Sequence, residues 1–145
     1  MLVQYLNLAV DSLQSLIDMT LLDIEDIKVA AHSRLFERAK NKEELLLSFE
    51  NYKNLIDETI ANAVAANPQT QLEDLLSEIE HSLLEQLKAK LMELKSVNRS
   101  YAKLVAAVSS FYNGLLEAML STNSAPINQY AGVAIKHANI FHATA

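Results

Sequence analysis

At 145 residues the chain has room for one domain with a sizeable core. Half of its residues are hydrophobic, yet Gly and Pro number only two each; sheets and their turns need more of both, so the chain reads as all-α. A net charge of −6 gives no basic face for nucleic acid, and the lack of cysteine excludes disulfides, thiolate metal sites and cysteine nucleophiles.

The first residues, MLVQYLNLAVDSL, are apolar but carry no basic start and include Asn7 and Asp11, so no signal peptide is expected. No uninterrupted apolar run approaches the roughly twenty residues of a membrane span. The expectation is a cytoplasmic protein without stable membrane insertion.

A first helix is expected over residues 2–31. Leu6, Val10, Leu13, Ile17, Thr20, Ile24, Ile27 and Ala31 hold a four-three spacing, and Leu16 and Leu21 widen the stripe enough to face two neighbours. Asp11, Asp18, Asp23 and Asp26 fall mostly off this seam and predict an acidic outer face. The pattern weakens at His32-Ser33, where Ser33 is positioned to cap a short segment containing Leu35 and Phe36. Asn41-Lys42-Glu43-Glu44 has the spacing of a capping box and opens a second helix reaching about residue 66, with Leu45, Phe49, Tyr52, Ile56, Ile60 and Val64 inward. A break near Lys40 and one bent helix through it are both compatible with the pattern.

Pro68 ends the second helix, since it disfavours helical geometry in the residue before it. Thr70-Gln71-Leu72-Glu73 is another capping box and predicts a long last helix over about 70–121. Its seam runs Leu84, Leu87, Leu91, Leu94, Asn98, Tyr101, Val105, Val108, Tyr112, Leu115 and Met119, in steps of four and three. At about 1.5 Å per residue such a helix spans roughly 75 Å, so its apolar side needs cover along a length no small domain has. Leu83, Leu87 and Leu91 step by four twice, a stutter that locally unwinds a supercoil. The two halves are therefore expected to face different partners, with the C-terminal half projecting past the shorter helices.

The fold expected is an elongated antiparallel bundle of about three long helices, the last one longest, followed by a short C-terminal tail. Residues 1–120 form the bundle domain; residues 121–145, containing Ser121, Pro126 and Gly132, are a linker and a tail that orders on a partner or folds back as a lid.

Catalytic chemistry has little support. One E-x-x-H occurs, Glu78-Ile79-Glu80-His81, but a di-metal carboxylate bundle needs a second one plus two further inward carboxylates. His137 and His142 are five apart and fall on different helix faces. No catalytic residue, metal ligand or cofactor is assigned; a helical carboxylate-metal enzyme is the weakest of the readings.

Partner binding has more support. Asn98 is a polar residue in an apolar seam, suited to fixing register or bonding a partner's backbone, although a bundle end or a watery face explains it equally simply. Tyr101, Val105, Val108, Phe111, Tyr112, Leu115 and Met119 concentrate aromatic and soft side chains at the far end of the long helix, and an apolar stripe left uncovered there would mark a partner site. Tyr130, Ile135 and Phe141 extend the apolar set into the tail. Ordinary core packing is the competing explanation, and a homodimeric helical-bundle adaptor or sensory protein, its stripe closing on a second copy, is the alternative function.

Leu21-Leu22 followed by Glu25 and Ala30, Leu35 and then Lys42 with Leu45-Leu46, and Leu94, Asn98, Leu104 and Val105 together resemble the pattern of the FlgN-like flagellar export chaperones. The likeness covers most of the chain. It departs at Tyr101, where the family often has a second asparagine, and at Tyr130-Ala131-Gly132, where it often has Tyr-Gly. The resemblance implies a cytoplasmic type III export chaperone, not an enzyme. Its clients would be helical C-terminal segments of hook-associated proteins of the hook–filament junction, kept soluble and delivered to the flagellar export apparatus.

Overall fold

The structure, a computed structural model, describes residues 1–120. It is all-α: α1 (Leu2–Lys28), α2 (Leu35–Ala66), a single turn α3 (Leu72–Leu75) and α4 (Glu78–Leu120). The α4 helix is the longest, as the heptads predicted, and its 43 residues measure about 65 Å at the usual rise.

The α1 helix is the axis of the bundle and packs along both α2 and α4. Its buried residues Leu2, Leu6, Ala9, Leu13, Leu16, Thr20, Asp23 and Ile27 keep a four-three rhythm from end to end. The direction of each neighbour follows from what these residues touch. Leu2 and Leu6 share a cluster with Ile56 and Leu83, whereas Ile27 packs with Leu35, Tyr101 and Val105. Hence α2 runs antiparallel to α1, and α4 returns parallel to it. Leu13, Leu16, Ile17 and Leu94 fill the middle, flanked by Leu45, Leu46, Phe49 and Leu87.

Helix ends differ from the sequence expectation in three places. The α1 helix stops at Lys28 and closes with a Schellman turn: Ala31 N–H donates to Asp26 at 2.8 Å and Ala30 N–H to Ile27 at 3.2 Å, which requires Ala30 at φ 57°. The α2 helix starts at Leu35 and passes through Lys40 and Asn41 unbroken. Neither Ser33 nor Asn41 caps it. Arg38 and Lys42 reach α1 from successive turns, and those bridges hold the segment helical where its apolar pattern is weak.

The third difference is the start of the long helix. The capping box expected at Thr70 gives only the single turn α3, after which Leu76 is extended (ψ 140°). The working box is Ser77-Glu78-Ile79-Glu80: Glu80 N–H donates to Ser77 Oγ at 3.2 Å, and Ser77 N–H donates to Glu80 Oε1 at 3.0 Å. His81 is held 2.8 Å from the Glu73 carbonyl, tying α3 to α4.

The buried stripe on α4 also differs from the leucine count. Leu83, Leu94 and Val105 are buried at intervals of eleven, with Asn98 and Tyr101 between and Ser109 one turn beyond, while Leu91 is exposed. An eleven-residue period lies close to that of a straight helix, so α4 needs little supercoiling to keep this face inward.

Candidate partner-binding face

The upper third of the bundle is built around a polar cluster. Asp23 occupies a seam position of α1 and is buried, contrary to the acidic outer face expected for it. Its Oδ2 lies 2.5 Å from Lys42 Nζ, and its Oδ1 accepts a 2.7 Å hydrogen bond from Arg38 Nη1. Arg38 also donates to Asp26 through Nη2. One carboxylate buried against two cations is stable only as a set, since an unpaired ion there would carry its full desolvation cost.

The set reaches α4 through Tyr101, whose ring centroid lies 5.0 Å from Lys42 Nζ in cation–π geometry. Tyr101 is 3% exposed, and burial, helped by the Asp23 charge, raises its hydroxyl pKa to about 12. Burial likewise lowers the Lys42 pKa, opposed by its bond to Asp23. Asp23 and Lys42 were legible in principle. The 2-6-9-13-16-20-23-27 register of α1 contains Asp23, and a charge in a seam is a request for an opposite charge across it.

The candidate residues on α4 divide at the end of this cluster. Asn98, Tyr101 and Val105 lie inside the intramolecular core, because α1 runs far enough to cover them. The uncovered part of the seam thus begins beyond Val105. Val108 is half-buried against the Ile27–Tyr101–Val105 cluster. Past Ser109, which is buried, the row comes out into solvent. Phe111 and Met119 are each 67% exposed, Tyr112 47% and Leu115 44%, and the Phe111 and Tyr112 rings meet edge to face at 5.9 Å. Val108, Tyr112, Leu115 and Met119 continue the buried row of Tyr101 and Val105 at four-three spacing, so the seam outruns its cover by about three turns. Tyr130, Ile135 and Phe141 lie outside the described residues.

Glu78 is exposed at the start of α4 and His81 is engaged with the Glu73 backbone. Among the described residues no three His, Asp or Glu side chains converge as metal ligands, and no helix is long and apolar enough to cross a membrane. Compared with known proteins, the chain matches no family model, no curated protein and no solved structure.

Proposed function

We propose that this protein is an export chaperone of the FlgN-like kind. It would bind helical C-terminal segments of hook-associated proteins in the cytoplasm, keep them soluble and present them to the flagellar export apparatus. One observation carries the reading: the apolar seam of α4 continues past the end of α1 from half-buried Val108 into the exposed row Tyr112, Leu115 and Met119. An amphipathic helix of about three turns, set down where α1 would continue, completes the packing already made at Tyr101 and Val105. The resemblance of Lys42 with Leu45-Leu46, and of Leu94, Asn98, Leu104 and Val105, to the family pattern supplies the identity of such a helix.

Calorimetric titration with C-terminal helical segments of hook-filament junction proteins tests this. The expectation is a one-to-one complex, weakened at least about tenfold by Val108→Glu or Leu115→Glu with circular dichroism unchanged. Truncation after Leu120 would also weaken it if tail residues Tyr130, Ile135 and Phe141 contribute. No binding by the intact chain, or full-strength binding by both charge variants, removes the proposal.

A further inference from the structure

The far part of α4 has a second uncovered face. Lys103, Ala107, Ser110, Gly114 and Glu117 recur at intervals of four, three, four and three, which puts them on one side of the helix, roughly opposite Leu94, Tyr101 and Val105. All five are exposed, and Phe111 stands at the edge of the row. Residues 104–116 contain no charge at all, in a chain that carries −6 overall. A helix exposed on this side ordinarily shows a charged outer face, and a charge-free one is the pattern of a helix covered there as well.

Gly114 adds a second sign. It sits mid-helix without positive φ, so its backbone does not need glycine, and a Cβ there would meet nothing within 4 Å among the described residues. Glycine at such a position weakens the helix by about 1 kcal/mol relative to alanine. Nothing within the described residues offsets that cost.

We propose that this face is an interface between two copies of the chain, their α4 helices packed antiparallel about a two-fold axis beside Ser110 and Phe111. Charge decides for a second copy over another occupant. Lys103 lies seven residues before Ser110 and Glu117 seven residues after it, so the two-fold brings Lys103 of each copy level with Glu117 of the other. Neither residue forms a salt bridge among the described residues. Ala107 of each copy comes within one residue, about 1.5 Å, of level with Gly114 of the other, leaving a notch beside which each Phe111 ring can seat. The arrangement is isologous and closed, so it ends at a dimer. It uses the opposite side of α4 from the exposed seam, and stands or falls independently of the chaperone reading.

The test is sedimentation velocity of the full-length chain over a wide concentration range, with three charge variants and one steric one. The intact chain is expected to dimerise reversibly. Lys103→Glu or Glu117→Lys alone sets like charges opposite each other twice per dimer and is expected to raise the dissociation constant about tenfold or more. Combining the two restores opposite charges and is expected to return it to within about threefold of the intact chain. Within one helix these residues are about 21 Å apart, so the rescue cannot arise inside a single copy. Gly114→Leu fills the notch and is expected to abolish the dimer with helicity retained. A chain monomeric at every concentration, single charge variants that dimerise normally, a combined variant without rescue, or a dimer indifferent to Gly114→Leu would each overturn the interface. Client titration with Glu117→Lys, expected to be unchanged, separates failure here from failure of the chaperone reading.

Discussion

The Lys42 ammonium lies 2.5 Å from Asp23 Oδ2 with both side chains almost wholly out of solvent. Replacing Asp23 by alanine leaves Lys42 and Arg38 facing a buried void without their shared carboxylate, and is expected to cost about 3–5 kcal/mol. Replacing both partners by apolar residues of similar volume, Asp23→Leu with Lys42→Met, is expected to recover most of that loss, because Arg38 retains Asp26. Urea unfolding of Asp23→Leu, Lys42→Met and their combination measures the coupling, with Asp23→Ala alongside. A loss below about 1 kcal/mol for Asp23→Ala would show that the ion pair does not hold α1 to α2.

The same cluster gives stability a definite dependence on alkaline pH. Tyr101 titrates at about 12 in the folded state and near 10 when unfolded, so its contribution is complete below pH 10 and is lost as pH rises toward 12. The loss is on the order of 3 kcal/mol. Lys42 acts in the opposite sense: its folded-state pKa is lowered, so the unfolded chain holds the proton longer and stability rises with pH up to the unfolded lysine value near 10.4. Stability should therefore climb into the range just below pH 10 and fall beyond it. Tyr101→Phe is expected to flatten the fall and Lys42→Met the climb, each read from urea midpoints between pH 8 and pH 12. An unchanged fall in Tyr101→Phe would place its cause at another group.

Two capping boxes in the sequence give opposite expectations. Ser77 accepts from the Glu80 N–H and caps the longest helix, so Ser77→Ala should destabilise by about 0.5–2 kcal/mol. Thr70 precedes a single turn that is followed by extended backbone at Leu76, so Thr70→Ala should fall within about 0.5 kcal/mol of the intact chain. Thermal unfolding of the pair distinguishes them; equal effects would mean that α3 contributes as much as the α4 start.

This contrast shows what the chain declares openly and what it does not. Apolar periodicity marks α1, α2 and α4 as helices without ambiguity, because a stripe that long has no other way to be buried. Ends are harder, since S/T-x-x-E occurs at both Thr70 and Ser77 and only tertiary contacts choose between them. The predicted seam on α4 holds at Leu94, Asn98, Tyr101 and Val105, yet Leu91 is exposed while Ser109, off the seam, is buried. The helix turns toward α1 the face that completes a contact, and hydrophobicity alone does not identify it. Asp23 illustrates the same limit. Its charge argues for solvent, and only Arg38 and Lys42, on a helix whose start the weak apolar pattern leaves open, make the buried position stable. The overhang at Phe111, Tyr112, Leu115 and Met119 was legible because it depends only on helix lengths. Its starting point was not, because that depends on where α1 ends beside α4.

The end of α1 carries one more expectation. Ala30 adopts φ 57°, the left-handed conformation in which a Cβ crowds the following carbonyl at a cost of roughly 1–2 kcal/mol. The Schellman bonds of Ala30 and Ala31 to the Ile27 and Asp26 carbonyls hold it there, and the Asp26 side chain pairs with Arg38 of α2. Glycine relieves the crowding but frees the unfolded chain, so Ala30→Gly is expected to stabilise by a net of about 0.5–1 kcal/mol. A β-branched residue suffers more in this conformation, and Ala30→Val is expected to destabilise by more than 1 kcal/mol and to loosen the α1–α2 turn. Amide exchange at Ala31, whose N–H closes the turn on Asp26, reports the loosening directly. Protection there should rise in the glycine variant and fall in the valine variant. The same order in both would mean that the turn is set by the Asp26–Arg38 bridge and not by the backbone closure.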